Sequence, residues 1–409
     1  MPPTRKELAL AVLVFLSIPF FCELGLRMAH IHFDPQLYGP DRSLGWVLRP
    51  GATGLVQTET PQWVTINSQG FRDRERTFTK SANTFRIAVL GNSWTEAMQV
   101  PIEQTFPSVL ERELNQQGCL AGQQVEVLNF GAAGYSTAQE LLMLQERVWK
   151  YEPDVVLLAF YPARDIANNV RELNNAISPE RSPYFVLKDG KLVEDVSFQA
   201  LPALQPREIV LQNLAYRLNE RVQLLQAVHS LQRMAKIRFA MAAAKERAQS
   251  SGMDNLEYAI YRPPNTPEMQ SAWSVTEALL RAMTNEIKEH NAKFRLVVLA
   301  TRPQVIPDPV KRREIEQKLG VADLTYADQR LKEFASEQRI AITLLAPELS
   351  AYAEAHHTYL NGFNKSNLGA GHWNATGHRL AAEIIAKDLC GSERAGMEQI
   401  PSIESQGKP

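Results

Sequence analysis

The chain has 409 residues and a formal net charge of −1, with 44 basic against 45 acidic residues, a balance that offers no basic face for nucleic acid. Its three cysteines make neither a disulfide framework nor a Cys-x-x-Cys ligand pair, and there is no His-Glu-x-x-His run, so the chemistry read below needs no metal and no cofactor. Hydrophobic residues are 44% of the chain, enough for one sizeable core with additions.

Leu8 to Cys22 is almost wholly apolar, and the run extends through Glu23-Leu24-Gly25-Leu26 to Arg27, at the short end for a membrane span. Arg5 and Lys6 precede it, so the positive-inside rule places the N-terminus in the cytoplasm and the rest outside, in the periplasm of a bacterium. No clean small-x-small cleavage site follows, because Arg27 and His30 interrupt the stretch around Ala29. An uncleaved single-pass anchor over residues 1–32 is therefore favoured over a removed signal peptide. Pro19 is tolerable in such a helix but kinks it. Residues 33–83 read as an extension between anchor and catalytic domain, with turn formers at Gly39-Pro40 and Pro50-Gly51 and short β-like pieces at 54–57 and 63–66. This extension is expected to pack on the catalytic domain and to help close its site.

Residues 85–90, Phe-Arg-Ile-Ala-Val-Leu, form a buried-type strand that runs into Gly91-Asn92-Ser93, with a helix-compatible segment from Thr95. Ser93 then stands at the carboxyl end of a strand, where open α/β sheets bind ligands, and reads as a nucleophile or, more blandly, as a helix N-cap. Val125–Leu128 leads into Asn129-Phe130-Gly131-Ala132-Ala133-Gly134-Tyr135, and Val155–Ala159 leads into Phe160-Tyr161-Pro162-Ala163-Arg164-Asp165. A long insertion, about 170–272, follows with a helical pattern over 207–249, suited to a lid, a membrane-facing surface or a partner interface, or equally to a solvated helical hairpin with no role in substrate choice. The α/β alternation resumes with a helix near 273–291, a strand at 294–300, a helix near 324–337 and a strand at 340–345, which predicts a parallel sheet covered on both faces. His372 lies in the loop before a last amphipathic helix, placed to act as base for Ser93. His378 falls inside the start of that helix, where packing or capping is expected. Trp373 and Tyr135 are read as core residues beside the site loops, with an acyl or sugar wall as the alternative. Cys119 and Cys390 are free to pair or to remain thiols, and the tail 391–409 is polar and expected to be disordered.

As an ordered set these blocks resemble the SGNH hydrolases, the GDSL-like esterase and lipase superfamily, from about residue 84 to 390. The resemblance implies a flavodoxin-like three-layer α/β/α sandwich with a parallel sheet. It also implies a serine esterase in which Ser93 and His372 are catalytic and the N–H groups of Ser93 and Gly134 line an oxyanion hole. Asn92 stands where many members carry aspartate, and Asp165 is expected to hold its loop. Two positions depart from the family. Arg164 replaces an asparagine that supplies an oxyanion donor; its guanidinium is read as a charged donor that joins Ser93 and Gly134 in the oxyanion hole, and where its geometry fails the loss is worth about 100- to 1,000-fold in rate, with Asn168 or Asn169 as candidate substitutes one turn on. Gly369 replaces the aspartate that orients the histidine, leaving a backbone carbonyl or a carboxylate distant in sequence to do so. The expected function is hydrolysis of O-acyl, including O-acetyl, esters of glycans or lipids. The alternatives are acyl transfer to an envelope polysaccharide, or a non-catalytic binding or assembly role on the same fold.

Overall fold

A computed structural model describes residues 4–398 apart from 32, 34, 121, 175–177, 233–234 and 236–255. The chain opens with α1 (Arg5–Met28), the one described helix long and apolar enough to cross a membrane. The extension then makes two antiparallel pairs, β1 (Tyr38–Asp41) with β2 (Gly45–Leu48) and β3 (Thr53–Val56) with β4 (Gln62–Thr65).

The centre is a five-stranded parallel sheet of β5 (Thr84–Gly91), β6 (Gln124–Asn129), β7 (Val155–Phe160), β10 (Lys293–Val298) and β11 (Ala341–Leu344). Every residue of β7 is buried, as its unbroken apolar run requires of a strand covered on both faces. The spatial order is β11-β10-β7-β5-β6, which in order of appearance is the 2-1-3-4-5 pattern of flavodoxin-like sheets and the one the sequence predicts. Successive connections reverse direction beside β5, opening a crevice at the carboxyl ends of β5, β6 and β7. On one side α3 (Phe106–Gln117) packs against α12 (Ala375–Glu398); elsewhere α4 (Thr137–Glu146) packs against α8 (Pro267–Glu289). Further helices of this body include α10 (Tyr326–Gln338) and α11 (Ala346–Ala355), with α9 (Pro309–Leu319) ahead of them.

Several local expectations change. The segment after Ser93 is a single turn, α2 (Ser93–Glu96), because Ala97 takes a left-handed conformation at φ 54° and ends it. The insertion is not purely helical: β8 (Tyr184–Lys188) and β9 (Lys191–Asp195) form a hairpin around Asp189-Gly190, both at positive φ, a two-residue turn whose chemistry is legible in the sequence. Then come α6 (Pro206–Arg221), a helical run at 223–232 and a short α7 (Leu256–Ala259), while the predicted helix around 240–247 lies outside the described residues. The helix expected from 273 begins at Pro267, capped by Thr266, whose hydroxyl accepts from Met269 N–H. The tail expected from 391 is helical to Glu398 as part of α12. Cys119 and Cys390 pair as a disulfide with Cα atoms 5.4 Å apart, closing the chain across 271 residues and tying the end of α3 to α12. Cys22 is free.

Candidate active site

Ser93 is the first residue of α2, immediately after β5, so its hydroxyl stands at the carboxyl edge of the sheet and its N–H is one of the helix's leading amides. Asn92 caps this turn by accepting from Trp94 N–H at 3.1 Å. Its amide donates at 2.8 Å to Asp165, whose other carboxylate oxygen accepts from Tyr161 N–H at 2.7 Å. Asp165 is fully buried, and burial pushes its carboxyl up to about 7. It thus fastens the third block to the nucleophile turn and does not reach the reacting atoms.

His372 lies in the loop before α12, with Nε2 2.8 Å from Ser93 Oγ. Its Nδ1 is 2.5 Å from Glu59 Oε1, and its backbone N–H donates to Glu59 Oε2 at 2.9 Å. A ring that donates from Nδ1 to Glu59 accepts at Nε2 from the serine, the tautomer a general base requires. Gln99 Nε2 also approaches Nδ1, at 3.3 Å, but a nitrogen that is donating cannot accept from it, and the shorter contact to a charged oxygen decides the tautomer. Burial pushes the Glu59 carboxyl up, yet the ring and backbone hydrogen bonds and the charge of His372 outweigh it and hold the group below its ordinary value.

The distant carboxylate left open by the sequence is therefore Glu59, in the extension between β3 and β4. Two glycines explain why it sits there. A Cβ on Gly369, at φ +80°, would lie 2.8 Å from the ring of Tyr359, so an aspartate at the family's position does not fit. A Cβ on Gly371, at φ +69°, would fall 2.1 Å from Glu59 Oε2, so this glycine leaves the opening through which the glutamate reaches His372. Gly371→Ala is accordingly expected to displace Glu59 and lower kcat by about 100-fold or more. Comparing its melting temperature and kcat with those of Gly122→Ala, at a left-handed site with open space around the Cβ, separates the steric effect from backbone strain.

The extension contributes more than Glu59. Trp46 Nε1 donates to Ala133 O at 3.0 Å, and the Tyr135 hydroxyl donates to Trp46 O at 2.7 Å, fixing the turn that carries Gly134. Arg72, buried, donates to the carbonyls of Glu96, Ala97 and Val100 just after the nucleophile turn. Glu96 is bonded by the Tyr38 hydroxyl, and burial pushes its carboxyl up to about 7.

A cavity of about 320 Å³ opens at Ser93 and His372, lined by Gly134, Tyr135, Tyr161, Arg164 and Asn168 among others. Trp94 lines it too and packs against the His372 ring with centroids 5.0 Å apart. Arg164 is an exposed side chain on α5 (Pro162–Asn168) at its rim. Asn168, one turn further along α5, is 4% exposed, lines the cavity and has no hydrogen bond at Oδ1 among the described residues. Asn169 is excluded from that role: it accepts from Ala138 N–H at 3.3 Å and donates to Thr276 Oγ1 at 2.9 Å. His378 is buried, accepts from Phe106 N–H at 3.3 Å and is pushed by burial down to about 3, so it is a neutral packing residue. Trp373 is core, edge-on to Trp94, whereas Tyr135 both packs and lines the cavity.

Sequence reasoning missed Arg302 and Glu257, which form an ion pair on the cavity wall with Arg302 Nε 3.0 Å from Glu257 Oε1. Arg302 has a visible signal, since it follows the carboxyl end of the β10 segment; Glu257 lies in the insertion and has none. Among the described residues no group of three or more His, Cys, Asp or Glu is placed to hold a metal ion.

No family model matches the chain. An arylesterase from Vibrio mimicus is 25% identical over 139 residues, which is 31% of this chain and 68% of that one. Among solved structures, a catalytic mutant of an acetylxylan esterase from Geobacillus stearothermophilus aligns over 76% of this chain and 96% of its own, at 11% identity and a TM-score of 0.37. A G-D-S-L family protein from Desulfitobacterium hafniense aligns over 74% of this chain and 99% of its own, at 13% identity and a TM-score of 0.34.

Proposed function

We propose, for a chain that belongs with the SGNH-type ester hydrolases, that it cleaves short-chain O-acyl esters, O-acetyl foremost, from a polar alcohol such as a glycan, outside the cytoplasm and next to a membrane. The observation that carries this reading is the continuous chain from Ser93 through His372 to Glu59. In it Ser93 Oγ attacks the acyl carbonyl while His372 Nε2 takes its proton. The N–H groups of Ser93 and Gly134 hold the resulting oxyanion, and His372 returns the proton to the leaving alcohol oxygen. Water, deprotonated by the same nitrogen, then attacks the acyl-enzyme and releases the acid and Ser93.

The cavity supports a small acyl group and a polar alcohol. Among the described residues, a volume of about 320 Å³ walled by Arg164, Asn168, Arg302 and Glu257 together with Trp94, Tyr135 and Tyr161 suits a small acyl group on a polar alcohol. Asn168 takes the place of the asparagine absent at 164, its amide supplying a further oxyanion donor. Asn168→Ala should lower kcat by about 100- to 1,000-fold with little change in KM, whereas Asn169→Ala should act on stability instead. Equal kcat losses at an unchanged melting temperature would remove Asn168 from this role.

The location rests on α1, which opens with Arg5 and Lys6 ahead of its apolar run, and on the Cys119–Cys390 bond, which is at home in an oxidising compartment. The test is fluorophosphonate labelling of the full chain in detergent, followed by acetate release from O-acetylated oligosaccharides against release from long-chain esters. Labelling in the wild type and its loss in His372→Ala, with acetate the preferred product, support the reading. A folded wild type that does not label overturns it.

A further inference from the structure

We propose that the outward face of the helical insertion, α6 and the run at 223–232, lies on a phospholipid surface at the foot of the anchor helix. In a solvated helix the polar side faces water, but α6 is built the other way round. Its half-buried side carries Glu208, Gln212, Asn213, Tyr216 and Asn219 with Ile209 as its apolar member, and is bound to the extension and to its own approach: Gln212 donates to Ala203 O at 2.9 Å and Tyr216 stacks under the Arg49 guanidinium at 4.8 Å, while exposed Glu220 pairs with Arg49 at 2.7 Å. The side turned away carries Val210, Leu211, Leu214 and Leu218, at 66, 47, 63 and 57% exposure. Leu225, Val228 and Leu231 on the next helical run are exposed too. Single exposed leucines are ordinary, but seven exposed aliphatic side chains over two consecutive helical runs make a surface that water does not favour.

Bilayer lipid is the occupant because of where this row begins. Arg27, at the end of α1, donates to Arg221 O at 2.6 Å. Glu23 accepts from the backbone N–H groups of Gln223 at 3.1 Å and Leu224 at 2.8 Å, capping the start of the second helical run. The junction of the two insertion helices is thus clamped to the last turns of the anchor. With α1 across a bilayer, that junction stands at the headgroup level, and the apolar row runs out from it along the interface. Arg207, Arg217 and Arg221 are exposed on α6 beside the row, suited to lipid phosphates. Because α6 is also bonded to the extension that carries Glu59, the catalytic body is held against the membrane instead of swinging on a tether.

This proposal rests on the anchor reading and not on the chemistry at Ser93, so its test reads the two separately. The full chain with Cys22→Ser is given a single new cysteine by Leu214→Cys or Leu218→Cys, labelled with a polarity-sensitive fluorophore and reconstituted into vesicles of zwitterionic and anionic phospholipid with or without a shallow nitroxide-lipid quencher. Val310→Cys on α9, an exposed apolar position with no link to the anchor, is the reference. Insertion to the headgroup boundary predicts about twofold or greater quenching at 214 and 218 and none at 310. Carbonate extraction of the wild type reports on the anchor independently. Quenching at 214 and 218 supports the proposal whether or not carbonate releases the chain. A shielded label that nitroxide lipid does not quench means that protein covers the row, and a label exposed to water means that nothing does; either result overturns the proposal.

Discussion

Replacing Ser93 by alanine is expected to abolish ester turnover, a loss of about a millionfold where the nucleophile of such a chain is removed, while the melting temperature changes little. The two expectations come from the same geometry. Among the described residues Ser93 Oγ is bonded only to His372 Nε2, at 2.8 Å, at the mouth of an open cavity. The folding work of this turn is done beside it, by Asn92 on Asp165 and by the buried residues Trp94, Thr95 and Glu96. Steady-state hydrolysis of a small activated ester, with a parallel melt, checks both. Residual turnover within about tenfold of the wild type would place the nucleophile elsewhere.

Glu59→Gln should lower kcat by about 10,000-fold at neutral pH, since a neutral amide no longer enforces the Nδ1-protonated tautomer or stabilises the imidazolium formed during attack. Glu59 is a positioning residue acting through His372, so three further readouts separate it from a structural one. KM should be nearly unchanged, the fluorophosphonate reaction should slow in step with kcat, and Glu59→Asp should restore part of the rate. Stability has its own signature. The carboxyl lies below its ordinary value of 4.5 in the folded chain, so it stabilises the fold above pH 4.5, and that contribution disappears as the pH falls through the folded value. The melting difference between wild type and Glu59→Gln should therefore be present at neutral pH and vanish in acid. A difference that grew in acid would contradict the assignment.

Much of this site is legible in the sequence because it is built from short local patterns. A buried strand ending in Gly91-Asn92-Ser93 places Ser93, the proposed nucleophile, and the loop before the last amphipathic helix places His372, the proposed base. Both readings depend only on strand and helix periodicity and on small residues at a turn. Glu59 is not legible because nothing near it in sequence marks it. It is chosen by space, through the ring of Tyr359 that excludes a side chain at 369 and the missing side chain at Gly371. The vacancy at 369 does signal that a carboxylate must arrive from elsewhere, but the extension holds several acidic residues, and Asp41 and Asp73 are taken by Arg147 and Arg76. Asn168 is half legible, since helical periodicity puts both it and Asn169 one turn beyond Arg164. Only tertiary packing, which ties Asn169 to Thr276, tells them apart. The β8–β9 hairpin was readable from Asp189-Gly190 but was outweighed by the strongly helical pattern that follows it.

The cystine between Cys119 and Cys390 carries a consequence for the order in which the molecule is made. Its first thiol belongs to the segment after α3 and its second to α12, 271 residues further on. Oxidation therefore cannot precede synthesis of α12, and the histidine loop is enclosed between the two sulfurs when it happens. Because Glu59, Ser93 and His372 all precede Cys390 in the chain, ring closure follows the synthesis of all three.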